Sequence, residues 1–191
     1  RSLRRQRQMC IRDSIYAAWA GSYSDFITDV NTTGSITSRV KANPTYGFSV
    51  VSYTGNGSAS QTIGHGLGSA PSNWWVIIKN RTSGSTDWAT FHSSISSGRL
   101  KLNTTDDDFG NYPISFNTDT ITLPSVNDLA WSSSSNNYIA YCWSAISGYS
   151  KFDSYEGTGN ANLSVTGLGF APAWIIIKNA DDSGGSQWMV Y

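Results

Sequence analysis

The tract GLGSAP at Gly66–Pro71 returns as GLGFAP at Gly167–Pro172, and each copy runs on into an apolar stretch that ends in IIKN. The correspondence extends to both sides. Tyr53 matches Tyr155, Gly55 matches Gly157, Gly57 matches Gly159, Lys79 matches Lys178, Asn80 matches Asn179 and Trp88 matches Trp188, with offsets that stay between 99 and 102 residues. One turn of a solenoid takes ~20–50 residues, so a period this long is a whole domain. The expected organisation is a complete unit over 46–148 and the truncated opening of a second over 149–191. Residues 15–45 are expected to be the remnant of a preceding unit or a linker, with 1–14 as a non-native tail. On this reading the chain is an interior piece of a longer tandem array.

Within the period the dominant pattern is alternation of apolar and polar residues, the mark of β-strands. GFSVVSY places Phe48 and Val50 on one face and Val51 and Tyr53 on the other. WWVIIKN and YIAYCW are apolar on both faces, as expected of central strands covered on two sides. DWATFH and RLKLN read as shorter strands, and ISFNTDTITLP as a hairpin that turns at Asn117-Thr118-Asp119. TGNG at Thr54–Gly57 is a tight-turn signal, because Asn-Gly tolerates positive φ. No segment after Ser14 sustains helical periodicity; IYAAWAGSYSDFI comes nearest, and TTGSITSRVKANPTYG reads as a connector. These elements predict an all-β chain, an antiparallel β-sandwich of the lectin-like jelly-roll kind, with an immunoglobulin-like sandwich as the alternative.

Composition agrees with that class. Charged residues are 14% of the chain, against about a quarter in typical domains. Their place is taken by Ser, Thr, Asn and Gly, which favour turns and strand surfaces over helices. Eight Trp and ten Tyr supply core volume. No stretch approaches the ~20 apolar residues of a membrane-spanning helix, and no apolar signal core follows the basic N-terminus.

RSLRRQRQMCIRDS does not match the rest. It holds Arg1, Arg4, Arg5, Arg7 and Arg12, five of the thirteen basic residues. RRQRQMCIRDS resembles a translated sequencing-adapter sequence. Without the tail, eight basic and twelve acidic residues remain, a net charge of −4. A mildly acidic body has no electrostatic reason to bind a phosphate backbone, so nucleic acid is not an expected partner.

Catalytic patterns are sparse. GHGLG at Gly64–Gly68 has the look of a phosphate loop, but a proline and a strand follow it where a helix N-terminus would be needed. His65 and His92 are the only histidines, too few for a zinc site built on imidazoles. Cys142 reads as a small buried residue and forms no disulfide framework with Cys10. Glu156 is the only glutamate, which argues against paired carboxylates for glycoside hydrolysis, and no G-x-S-x-G elbow occurs. Catalytic residues and resident cofactors are therefore not expected. The acidic run Asp106-Asp107-Asp108 is the one candidate calcium loop. Trp74, Trp75 and Trp88 are the candidates for stacking on sugar rings, with a core role as the competing reading.

The combination of YTGNG, GLG-x-AP, IIKN and the YIAYCW–GYSKF junction, over roughly Phe48 to Tyr191, resembles an uncharacterised tandem repeat domain. That domain occurs in large structural or tail-associated proteins of marine bacteriophages, including those that infect cyanobacteria. The resemblance implies a β-sandwich module repeated on a virion appendage, and it carries no functional residues with it. The expected function is accordingly a non-enzymatic structural or adhesive module of a phage tail or tail fibre. Its expected partners are neighbouring repeats, other virion proteins and host-surface glycan. A lectin-like carbohydrate-binding module is the alternative, and a polysaccharide depolymerase the third reading.

Overall fold

The computed structural model describes residues 29–191 except 109, 160–161 and 183–184. The basic tail 1–14 and the aromatic stretch IYAAWAGSYSDFI therefore lie outside the described residues. What is described is all β, with every strand pair antiparallel.

The main sheet has seven strands. They are β1 (Asp29–Asn31), β2 (Ser38–Asn43), β3 (Phe48–Thr54), β5 (Trp74–Asn80), β6 (Ala89–His92), β7 (Leu100–Lys101) and β10 (Asn137–Ser144), in the order β1-β2-β3-β10-β5-β6-β7. The latest strand in sequence thus occupies the centre. Ala140 of β10 faces Val51 on one side and Ile78 on the other, and Tyr141 faces Val50 and Ile77. The two tracts expected to be covered on both faces, β5 and β10, are the ones at the middle of the sheet.

A smaller sheet stacks on one face, hereafter the inner face. It comprises β4 (Thr62–Gly64), β9 (Thr120–Thr122) and β8 (Ser115–Phe116), in the order β4-β9-β8. β8 and β9 are the expected hairpin, with Phe116 opposite Ile121. Val51, Tyr53, Val76, Ile78, Phe91 and Cys142 from the large sheet meet Ile63, Leu67, Phe116, Ile121, Leu123 and Trp131 in one core. The chain is a β-sandwich. Three buried aromatic side chains have their polar tips satisfied: Tyr53 Oη donates to the Trp131 carbonyl at 2.8 Å, Trp131 Nε1 to Val126 at 2.9 Å and Tyr138 Oη to Leu129 at 3.0 Å. Rings of this size add large buried area without leaving an unpaired donor, which is the condition under which Tyr and Trp stabilise a core.

One expectation needs correction. The connector expected ahead of the first unit contains β2, which pairs with β3 through six residues from Ser38↔Tyr53 to Asn43↔Phe48. Ser38 and Val40 point into the core while Arg39 and Lys41 point out; the charges hid the alternation. The tight-turn signal TGNG falls between the two sheets. β3 stays in the large sheet and β4 belongs to the small one, so TGNG is the corner where the chain changes sheets. Gly55 and Gly57 donate there to Asn136 and Ser132, both at 2.9 Å, and a Cβ at Gly55 would sit 2.4 Å from the Ser133 carbonyl.

A tight 3-10 turn, Pro44–Tyr46, joins β2 to β3. Asn43 Oδ1 accepts from the Tyr46 amide at 3.3 Å, and Gly47 closes the turn at φ 62°. A Cβ at Gly47 would fall 2.2 Å from the Ser144 carbonyl, so only glycine fits.

The remaining pair, β11 (Ile176–Ile177) and β12 (Met189–Val190), is a separate two-stranded sheet from the second sequence copy. It reproduces the register of β5 and β6. Ile77 faces Thr90 and Ile78 faces Ala89; at the matching positions Ile176 faces Val190 and Ile177 faces Met189. The turn that follows is reproduced as well. Asn80 Oδ1 accepts from the amide two residues on, Thr82, at 2.8 Å, and Asn179 Oδ1 does the same with Asp181 at 3.0 Å.

Candidate functional site

The outer face of the large sheet is where the molecule departs from a plain sandwich. Alternation along the strands turns Phe48, Val50, Trp75, Ile77, Tyr141 and Trp143 outward. These residues form an aromatic tract rather than a polar surface. Trp75 stacks on Trp143 at 4.8 Å, Phe48 lies 5.1 Å from Trp143, and Trp88 stacks on Tyr141 at 6.5 Å. Left bare, the tract would cost free energy in proportion to its apolar area.

Residues 149–191 cover it. Phe152, Ile176 and Trp188 pack on Trp75 and its neighbours, with Phe152 and Trp188 rings each 6.4 Å from Trp75. Trp188 Nε1 donates to the Lys101 carbonyl at 3.0 Å, Lys178 Nζ to Thr105 at 3.2 Å and the Asp108 amide to Ala180 at 2.8 Å. The residues that meet are counterparts: Ile176 and Trp188 correspond to Ile77 and Trp88, which stand on the same face of the first copy.

The tryptophan candidates are therefore placed as follows. Trp75 is buried under the second copy, Trp88 is half-buried beside Tyr141, and Trp74 is half-buried on the opposite side, stacked on Phe116 at 5.8 Å. None offers a bare ring face. The second-copy counterpart of Trp75, Trp174, is 48% exposed. Sequence reasoning could not separate the two, because they occupy the same place in the repeat.

The acidic run does not gather into a cation cage. Asp106 pairs with Lys101 at 3.0 Å, and Asp87 pairs with the same ammonium at 3.1 Å. The hydrogen bond from Lys101 holds the Asp106 carboxyl below its ordinary range. Among the described residues no three His, Cys, Asp or Glu side chains come together in a metal-binding group.

Both histidines are structural. Burial pushes the His65 imidazole below its usual value. Its Nδ1 accepts from the Leu67 amide at 3.1 Å, so its Nε2 carries the proton and donates to Asn117 at 3.0 Å. Burial likewise depresses His92, whose Nδ1 accepts from Ser94 at 3.1 Å. Burial pushes the Cys142 thiol up to about 12, which keeps it an unreactive thiol.

A basic corner that the sequence did not reveal lies beyond the aromatic tract on the outer face. A cleft of about 430 Å³ opens there, lined by Thr37, Arg39, Ser52, Thr54, Arg81 and Asn137 among others. The ladder explains the grouping. Arg39 faces Ser52, Thr54 faces Asn137, and Arg81 follows β5, its amide bonded to Asn137 at 2.7 Å. Strands ~4.8 Å apart place the two arginine backbones roughly 15 Å from each other. Both arginines are exposed, and no carboxylate among the described residues pairs with either. Their distance in sequence hid the site, since only the insertion of β10 between β3 and β5 joins them.

No helix among the described residues is long and apolar enough to cross a membrane. No curated protein and no solved structure matches the chain. A family model described as a domain of unknown function, DUF7483, matches residues 4–191, across both sequence copies, and the chain belongs to that family.

Proposed function

We propose that the chain is a non-enzymatic structural and adhesive module of a phage virion appendage, a tail or tail fibre, used in tandem. The observation that carries this reading is the packing of the second copy on the first through counterpart residues, with the β5–β6 register repeated in β11–β12. Counterpart residues that meet face to face close the contact between two copies, so the pair of copies is the natural building block of such an appendage. Repetition also turns weak contacts into firm attachment without a deep pocket in any one unit. The groups that catalysis would draw on are committed elsewhere: His65 to two backbone partners, Asp106 to Lys101, Cys142 to the core. The test is immunogold labelling of virus particles concentrated from a community that carries the gene, with antibodies raised against the chain. Gold on tails or fibres supports the reading; gold confined to cells overturns it.

The second reading is a carbohydrate-binding module, and the cleft between Arg39 and Arg81 favours it. Guanidinium groups recognise sulfate and carboxylate by paired hydrogen bonds, while Ser52, Thr54 and Asn137 offer partners for sugar hydroxyls. The spacing suits two anionic groups along one polymer. Retention on an immobilised sulfated or uronic-acid polysaccharide, lost in Arg39→Gln/Arg81→Gln, supports it. Equal retention of the wild type and the double variant overturns it.

A further inference from the structure

The turn Pro44–Tyr46 and the turn that follows β10 bring two tyrosines together at one end of the large sheet. Tyr46 and Tyr149 lie with ring centroids 5.1 Å apart and planes inclined at 45°, and they are 53% and 56% exposed. Both stand on closed backbone. Gly47 donates to the Pro44 carbonyl at 3.2 Å, and Tyr149 and Ser150 donate to Ile146 at 3.0 and 2.9 Å. Ser150 Oγ accepts from the Ile146 amide at 3.1 Å. The two turns are tied together by the Ser144 amide, which donates to the Gly47 carbonyl at 2.8 Å. The surface around the rings is polar and uncharged. Residues 42–50 and 144–150 contain no Asp, Glu, Lys or Arg. Neither do residues 68–74, which adjoin them where Ala145 donates to the Asn73 carbonyl at 3.0 Å. Asn43, Thr45 and Ser147 are exposed on the same two turns. Lys151, just beyond, pairs with Asp153 at 3.2 Å.

We propose that Tyr46 and Tyr149 form a stacking platform for a single chain of a neutral glycan. The inference deepens the carbohydrate-binding reading and rests on it, at a place distinct from the cleft of Arg39 and Arg81. The axial C–H groups of a pyranose carry partial positive charge and meet the electron-rich face of an aromatic ring. A gluco-configured sugar sets its ring hydroxyls equatorial, so it offers such a C–H face on both sides while the hydroxyls reach outward to Asn, Thr and Ser. Size selects against a protein partner. Two half-exposed rings offer on the order of 200 Å², against the ~800 Å² that one side of a standard protein interface covers. Other exposed apolar side chains do not extend the patch: Val30 faces Arg39, and Val126 and Leu129 lie on the loop that bonds Asn80, toward the opposite ends of the strands. The tilt selects among glycans. Rings inclined at 45° do not both lie flat on the face of a crystalline polymer, whereas successive sugars of a free chain turn relative to one another and follow the bend. The lack of charge leaves sulfate and carboxylate without a partner here. Because both turns are fixed, little backbone freedom is lost on binding.

The test is saturation-transfer NMR of the full chain with a soluble linear β-glucan oligosaccharide, in salt that screens surface charge. Saturation is expected to reach the axial ring hydrogens of the sugar. Tyr46→Ser and Tyr149→Ser should each weaken binding several-fold in a titration of that signal. Tyr46→Phe keeps the ring and should bind as the wild type does. Thermal midpoints of the serine variants should change little, since both rings already stand in solvent. Absence of transfer overturns the proposal. So does equal transfer in the serine variants, or a loss of transfer in Arg39→Gln/Arg81→Gln. If the glucan fails to depend on the tyrosines while a sulfated polymer still needs the two arginines, the platform falls and the carbohydrate reading stands.

Discussion

Trp188 reaches 87 residues back along the chain to donate its indole N–H to the Lys101 backbone carbonyl, at 3.0 Å. Its ring also lies 6.4 Å from Trp75, so a single side chain fixes the second copy to both the rim and the centre of the outer face. Trp188→Ala is expected to cost about 2 kcal/mol, below the ~3–5 kcal/mol of a fully buried Trp because the ring is half-buried. The expected signs are a lower urea midpoint and new binding of a hydrophobic dye at the uncovered tract. An unchanged midpoint with no dye binding would show that the second copy does not cover the sheet.

On the opposite face Trp131 is fully buried, in edge-on contact with Tyr112 at 5.1 Å and Phe91 at 6.0 Å. The Arg99 guanidinium lies 4.7 Å from its ring. Trp131→Ala is expected to cost about 3–5 kcal/mol, a large part of a domain's total stability. Thermal unfolding measured side by side with Trp188→Ala checks the order: the loss at Trp131 must be the larger.

Gly47→Ala joins a left-handed backbone at φ 62° to a Cβ placed 2.2 Å from the Ser144 carbonyl. The strain alone is worth ~1 kcal/mol or more, and relief of the contact would push β10 away from β3. The midpoint should drop by more than in Gly84→Ala, where nothing lies within 4 Å of the added carbon.

Burial lowers both His65 and His92 in the folded chain. The unfolded chain then binds protons first as pH falls, so their contribution is complete above the ordinary histidine value of ~6.5 and is lost below it. The thermal midpoint should be lower at pH 5.5 than at pH 7.5. His65→Gln should flatten that dependence, and an unaltered slope would contradict the buried neutral imidazole.

The Cys142 thiol is buried and pushed up to about 12. Iodoacetamide at pH 8 should leave Cys142 unmodified in the folded chain and alkylate it in urea, as read by peptide mass. Modification under native conditions would mean that the centre of the large sheet opens readily.

The sandwich was legible because period-two alternation reports which face a residue takes. Phe48 and Val50 against Val51 and Tyr53 could be assigned by eye, and so could the two-sided burial of WWVIIKN and YIAYCW. Alternation does not report which strand lies alongside, so the place of β10 between β3 and β5 was hidden. The basic corner was hidden with it, since Arg39 and Arg81 become neighbours only through that insertion. β2 escaped notice because Arg39 and Lys41 fill its outward positions and Ser38 and Ala42 are weak inward signals. Trp75 and Trp174 show the same limit in another form: they hold equal places in the repeated sequence, yet Trp75 lies under Phe152 and Trp188 while Trp174 is 48% exposed.

The central position of β10 also sets a clock for biosynthesis. β3 and β5 are translated long before the strand that lies between them, and neither pairs with the other. A nascent chain cannot close its large sheet until Ser144 has left the ribosome, and pairing over such separations makes sheet closure slow. Until then β3 and β5 each wait with one edge unpaired, beside β2 and β6.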